Sequence, residues 1–218
     1  MTIMAAVPVK DLVNAKQRLV SMLEPAERHD LAAAMLEDVL DALEAAGGLA
    51  LRLVTRDPEV LALADRRGIA CLTESANRGH TEAVAFAQGE AARLGFAGFL
   101  TVPGDVPCVT PDEVRALVAA LDGAPGVAFV PSLSGFGTNA ALLAPPDTMP
   151  LKFGEPSFAN HLEGARGRGL APRVLSLNGL GLDIDAPDDL RLLLARGAYT
   201  RAGSLCRARG IAARLAPV

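Results

Sequence analysis

At 218 residues, 50% hydrophobic and 21% charged, the chain can bury a sizeable core, and one domain spanning residues 1–218 is expected. A net charge of −4 and a pI near 5.4, with no densely basic stretch, argue against nucleic acid as the main partner. No apolar run approaches the about 20 residues that span a bilayer; the opening MTIMAAVPVK reads as a first strand rather than a leader, and Cys71, Cys108 and Cys206, without C-x-x-C spacing, read as reduced thiols, so a soluble cytoplasmic protein is expected.

Short Val/Leu/Ile/Ala-rich runs alternate with helix-length amphipathic segments along the chain. That rhythm predicts an α/β fold with a parallel-type sheet. The first strand is IMAAVPV (3–9), followed by the longest helix, 24–48, which starts near Pro25, stops at Gly47-Gly48, and repeats Met35, Val39 and Leu43 on one face. Strands at 51–55 and 69–73 come next, then a helix at 79–95, a strand at 98–102, and a helix at 110–121 that opens with Thr110 as cap and Pro111 in the first turn. Further strands are predicted at 126–130, 139–144, 173–177 and 181–185. Between residue 130 and about 155 the chain is rich in Gly, Pro, Ser and Thr with no helix, and long irregular segments of this kind are usually functional. The Arg-rich end, 195–218, reads as a terminal helix or a frayed tail.

Three stretches carry chemistry. VPVKDLVNAKQRL (7–19) follows the first strand with Lys10, Lys16 and Arg18, where ligands of open α/β sheets sit, and three cations suit polyphosphate. No glycine-rich phosphate loop is present, so the grip would come from side-chain charge. TVPGDVPCVTPDE places Asp105 just past a central strand, where it either completes a turn beside Gly104 or meets other acidic groups. In LGLDIDAPDDL, Asp183 and Asp185 lie two apart and would share one face of a strand, although Asp185 also suits the N-cap of the helix that follows. Three carboxylates with no His or Cys partner suit a hard cation such as Mg²⁺, and His29, His80 and His161 form no ligand pattern. The irregular GFGTNAALL and KFGEPSFANHL offer Thr138, Asn139, Gly154 and Ser157, with Ser157 at a helix N-terminus; they suit a small phosphorylated or carboxylated acceptor, or else form two loops with a capping serine. Nucleotidyl transfer to a phosphate monoester fits these parts without a Ser-His-Asp triad, because the attacking oxygen, with a pKa of about 6, is already ionised at pH 7.

Taken as an ordered set, VPVKDLVNAKQRL, AMLEDVL, PGDVPCVTPDE, GTNAALL, FGEPSFANHL and LGLDIDAPDDL resemble the 2-phospho-L-lactate guanylyltransferase family, with its phosphoenolpyruvate- and 3-phosphoglycerate-using relatives, over about residues 3–195. The resemblance implies a nucleotide-diphospho-sugar-transferase-like (GT-A-like) fold with a mostly parallel mixed sheet flanked by helices. It implies transfer of GMP from GTP to the phosphate of a three-carbon acid, in biosynthesis of the deazaflavin coenzyme. Asp105, Asp183 and Asp185 would hold Mg²⁺; Thr138, Gly154 and Ser157, with Asn139 beside them, the acid; Lys10, Lys16, Arg18 and Gly79 the nucleotide. The implied partners are GTP and the acid, with no nucleic acid and no membrane, and a homodimer is compatible with the sequence.

This chain departs from the family pattern where Gly79-His80-Thr81 replaces Gly-Leu-Asn and where SLSGF precedes Gly137-Thr138-Asn139, positions that bear on nucleotide and acceptor choice. Other nucleotidyltransferases or glycosyltransferases of the same fold, and a nucleotide-binding regulator without turnover, are the alternatives.

Overall fold

Ile3–Pro8 forms β1 and is buried at all six positions, as a strand covered on both faces must be. The computed structural model describes residues 2–76 and 78–215. Among these, β1 joins β2 (Leu49–Val54), β3 (Ala70–Leu72), β4 (Gly98–Thr101), β5 (Gly126–Pro131), β6 (Thr138–Ala144) and β7 (Arg173–Val174) in a sheet of order β3-β2-β1-β4-β6-β5-β7. β6 runs antiparallel to both β4 and β5, while the other pairings are parallel. The sheet is therefore mixed and mostly parallel, as expected.

The helices are α1 (Pro25–Ala46), α2 (Pro58–Arg67), α3 (His80–Arg93), α4 (Pro111–Ala119), α5 (Ser157–Arg166), α6 (Pro187–Arg196), α7 (Arg201–Ala208) and α8 (Ile211–Arg214). Strand periodicity decides which face each helix covers. Ile3, Ala5 and Val7 pack with Leu36, Val39 and Leu43 of α1, Val60 of α2 and Leu117 of α4; Met4 and Ala6 pack with Val84 and Ala87 of α3 and Ala165 of α5 on the opposite side. α1 is held at its start by Pro25 and by the Glu27 carboxylate, which accepts the Glu24 N–H at 2.9 Å; it ends at Gly47, whose φ of 73° disfavours any residue with a side chain. None of the helices among the described residues is long and apolar enough to cross a membrane.

The C-terminal segment is helical and anchored. The Asp38 carboxylate of α1 accepts the Arg201 and Ala202 N–H groups at 2.8 and 2.9 Å, capping α7, and Leu190, Leu193, Ala202 and Cys206 close a third apolar cluster over Leu31 and Met35. Residues 216–218 of the expected tail lie outside the described residues.

Two expectations are corrected. Residues 181–185 are not a strand: Gly181 and Leu182 donate back to the Leu177 and Gly179 carbonyls at 2.8 and 3.2 Å in a turn, and Ile184 donates to the Asp105 carbonyl at 3.0 Å, while just ahead the Glu113 carboxylate takes the N–H groups of Gly179 and Leu180 at 2.7 and 3.2 Å. A Cβ on Gly179 would come within 2.2 Å of the Cys108 carbonyl oxygen, so only glycine allows this approach. Nor is Asp185 the cap of α6. Ala186 holds the N-cap position, and the Asp189 carboxylate accepts the N–H groups of Asp185 and Ala186 at 3.0 and 2.7 Å, leaving the Asp185 side chain for other work. A helix not predicted, α2, is capped by Asp57, which accepts from Glu59 and Val60.

Candidate active site

The cleft opens beyond the carboxyl ends of β1 and β4, next to where β6 reverses the sheet direction. Its charged wall is built from three loops. After β1 the chain is pinned by Asp57, whose second carboxylate oxygen accepts the Leu12 N–H at 2.9 Å, and it then turns through Lys16 in a left-handed conformation (φ 56°, ψ 43°). A non-glycine residue there stores about 1–3 kcal/mol of strain. The result is a lysine aimed inward: its side chain is 7% exposed, and Nζ lies 2.6 Å from Asp105 Oδ2 and 2.9 Å from Asp185 Oδ1. Asp105 follows β4, whose exit is fixed by the Val102 N–H donating to the Ala6 carbonyl at 3.1 Å.

Burial by itself would lower the Lys16 pKa, but the Asp105 and Asp185 carboxylates outweigh it and raise it, keeping the amine charged. For Asp185, burial pushes upward and the Lys16 ammonium, with Arg18, pulls the pKa below its ordinary value. Asp183 behaves oppositely: burial and the neighbouring charges of Asp105 and Asp185 raise its pKa despite a 3.1 Å hydrogen bond from Asn139 Nδ2, which also donates to the Leu180 carbonyl at 3.0 Å. Of the expected carboxylates, Asp105 and Asp185 line the cleft, while Asp183 lies near enough to feel their charges. Among the described residues no three His, Cys, Asp or Glu side chains converge closely enough to hold a metal ion in this arrangement. Lys16 stands between two of the aspartates, and Asn139 holds the third. In kind, the donor set fits a hard divalent cation, since all three offer carboxylate oxygens.

The other predicted nucleotide residues lie at the same mouth. Lys10 is exposed and lines both the main cleft, of about 330 Å³, and a smaller one of about 100 Å³ beside it. Arg18 is 71% exposed and reaches only to 3.8 Å from Asp185. Gly79, at φ 105°, is the N-cap of α3 and lines the smaller cleft with Arg56, Glu74 and His80. His80 and Thr81, where the chain departs from the pattern it resembles, fasten α3 to the loop ahead of α5. Thr81 Oγ1 accepts the Phe153 N–H at 3.0 Å, and the His80 ring meets the Phe153 ring edge-on at 4.7 Å.

Between β6 and α5 the hydrogen-bonding groups are neutral. The Thr138 N–H donates to Ser157 Oγ at 3.0 Å, which ties the first residue of β6 to the first residue of α5. Gly154 is exposed with φ 107° in the loop leading to α5. His161 lies beneath them, 2% exposed, with Nδ1 2.9 Å from Thr138 Oγ1 and Nε2 accepting the Lys152 N–H at 3.0 Å. Burial holds its pKa down to about 4. Sequence reasoning passed over His161 because it sought metal ligands. The available signal was its spacing: four residues after Ser157, it shares that residue's helix face. Asp57, which pins the lysine loop from a distance of 45 residues, gave no comparable signal.

Known proteins resemble this chain over most of its length. A phosphoenolpyruvate guanylyltransferase from Sphaerobacter thermophilus is 46% identical over 194 residues, covering 88% of this chain and 93% of that protein. A 2-phospho-L-lactate guanylyltransferase from Methanothermobacter thermautotrophicus is 34% identical over 203 residues, covering 93% and 89%. The crystal structure of a Desulfovibrio desulfuricans G20 protein of the nucleotide-diphospho-sugar-transferase type overlays with a TM-score of 0.78 at 16% identity, covering 98% of this chain and 96% of that one, a likeness of fold alone. The pattern of the family described as "Guanylyl transferase CofC like" matches residues 3–216, and the chain therefore belongs to that family of nucleotidyltransferase enzymes.

Proposed function

We propose that the protein is a Mg²⁺-dependent guanylyltransferase that joins GMP from GTP to the phosphate of a small phosphorylated carboxylic acid and releases pyrophosphate, in the making of a deazaflavin coenzyme. The observation that carries this reading is the charged wall itself: a buried lysine between Asp105 and Asp185 at the carboxyl ends of β1 and β4. Acceptors of the right chemistry are 2-phospho-L-lactate, phosphoenolpyruvate and 3-phosphoglycerate. Phosphoenolpyruvate is the first to test, since it is named for the relative that is 46% identical.

In this reading Lys10, Lys16 and Arg18 bind the triphosphate, and Thr138, Asn139, Gly154 and Ser157 bind and orient the acid. Asp105, Asp183 and Asp185 would hold the Mg²⁺, which when bound supplies charge neutralisation at the phosphates. A phosphate oxygen of the acid attacks the α-phosphorus, a new P–O bond forms, the bond from the α-phosphorus to the α,β-bridging oxygen breaks, and pyrophosphate leaves with the electron pair. No side-chain base is required, because a phosphate monoester with a second pKa of about 6 is already ionised at pH 7. The work left to the protein is alignment and charge compensation. Lys16 serves the second need twice, neutralising the aspartates in the free enzyme and lying in the same cleft as the incoming phosphates.

Pyrophosphate release with mass detection of products tests this, using Mg²⁺, each of GTP, ATP, CTP and UTP, and each of the three acids. An acid-dependent product heavier by GMP supports it. A product carrying another nucleotide, or silence across the panel, overturns it.

A further inference from the structure

We infer that His161 is a positioning residue for the acceptor: by donating from Nδ1 to Thr138 Oγ1 it leaves the Thr138 hydroxyl proton free to donate, with that of Ser157, to an anionic oxygen of the acid. The inference rests on the reading of this wall as the acid site.

The tautomer follows from the ring's surroundings. Nε2 faces the Lys152 backbone N–H at 3.0 Å, which can only donate, so Nε2 must carry its lone pair. A neutral imidazole then has its single proton on Nδ1, 2.9 Å from Thr138 Oγ1. A cationic ring would set two N–H groups against each other at the Lys152 end, and burial disfavours that form in any case. Neighbouring rings prevent rotation: His161 stacks on Phe129 at 5.4 Å with 12° between planes and meets Phe153 edge-on at 5.2 Å.

Both hydroxyls have therefore already been used as acceptors. Thr138 Oγ1 takes the Nδ1–H, and Ser157 Oγ takes the Thr138 N–H, so each oxygen keeps its own proton to donate. Neither proton meets an acceptor among the described residues, although the two residues are only 7% and 2% exposed. Buried donors without a partner are costly unless something accepts from them. An anionic oxygen is the acceptor that two O–H donors suit best. Here the protein selects for negative charge without placing a positive charge, by fixing the direction of hydroxyl dipoles.

The test uses the full-length enzyme. Long-range ¹⁵N NMR of the histidine rings at pH 7 reads the tautomer, and steady-state kinetics with GTP and phosphoenolpyruvate compare the wild type with His161→Phe, His161→Asn and Thr138→Val. Expected are an Nδ1-protonated ring and, for His161→Phe, a rise of about tenfold in the acid's KM with that of GTP unchanged, the size of one lost charge-assisted hydrogen bond. His161→Asn, which keeps an N–H donor near the place of Nδ1, should recover most of the loss, and Thr138→Val should add little to His161→Phe. An Nε2-protonated ring in an enzyme active on phosphoenolpyruvate overturns the inference alone, as does an equal rise in both KM values or an Asn variant as poor as the Phe variant. A wild type that releases no pyrophosphate with any acid overturns the acceptor reading, and this inference with it. Should the Phe variant not fold, the tautomer and the Asn variant decide.

Discussion

At the ends of β1 and β4, negative charge is met by a buried ammonium held in a left-handed backbone, whereas between β6 and α5 two hydroxyls and a neutral imidazole share hydrogen bonds with no formal charge among them. Desolvation explains the contrast. Lys16 can be kept charged at 7% exposure only because two carboxylates lie within 3 Å, and in the proposed function those carboxylates are the groups that would meet cation and phosphate. Such a wall is a set of exchangeable partners. The hydroxyl pair has nothing to exchange: its hydrogen bonds to His161 and the β6 backbone are already made, so in the proposed function it would bind by pre-orientation and at smaller energetic stakes.

Substitutions on the two sides should therefore differ in size and in the parameter they change. The largest effect is expected from Asp183→Asn or Asp105→Asn, which should lower kcat by on the order of 10²-fold or more with the circular dichroism spectrum unchanged; wild-type turnover in either would remove the carboxylate wall from the chemistry. Next comes Lys16→Met, which leaves Asp105 facing Asp185 uncompensated; the KM for GTP should rise at least about tenfold while that of the acid stays constant, and a change confined to the acid would invert the assignment of the two walls. Ser157→Ala should do the reverse, raising the acid's KM several-fold and sparing GTP, as measured by the same pyrophosphate assay.

A charged pair away from the cleft gives the smallest effect and a control. Hydrogen bonds from Arg214, and then from the Glu24 N–H, lower the Glu27 pKa from 4.5 to about 2. A carboxylate depressed in the folded state contributes stability that is complete above 4.5 and is lost as pH falls through about 2. Thermal midpoints measured from pH 6 down to 2 should fall less steeply for Glu27→Gln than for the wild type, and parallel curves would show that the pair contributes nothing of this kind.

Much of this architecture could be read locally. Alternating Ile3, Ala5 and Val7 against Met4 and Ala6, the repeat of Met35, Val39 and Leu43, and the Pro25, Pro111 and Gly47 boundaries all depend on near neighbours, and each strand and helix they announce is present. Even α2, not predicted, carried its signal in the capping pair Asp57-Pro58. The stretch 181–185 misled because an apolar alternating run suits a strand, while the groups that shape it, Glu113 just ahead of it and the Asp105 carbonyl that takes the Ile184 N–H, are distant in sequence.

By itself, then, the sequence determined the alternation of strands and helices, the supply of cations after the first strand, the three aspartates and the hydroxyl-bearing loops, because residue type and short-range periodicity suffice for these. Tertiary structure alone decided that Lys16 lands between Asp105 and Asp185, 89 and 169 residues away, and that His161 reaches back 23 residues to orient Thr138. The reason is geometric. Hydrogen bonds and ion pairs depend on ångström-scale distances, and those distances are set by the order of strands across the sheet, where β6 is inserted between β4 and β5, and by a left-handed turn at a lysine that no local preference would place there.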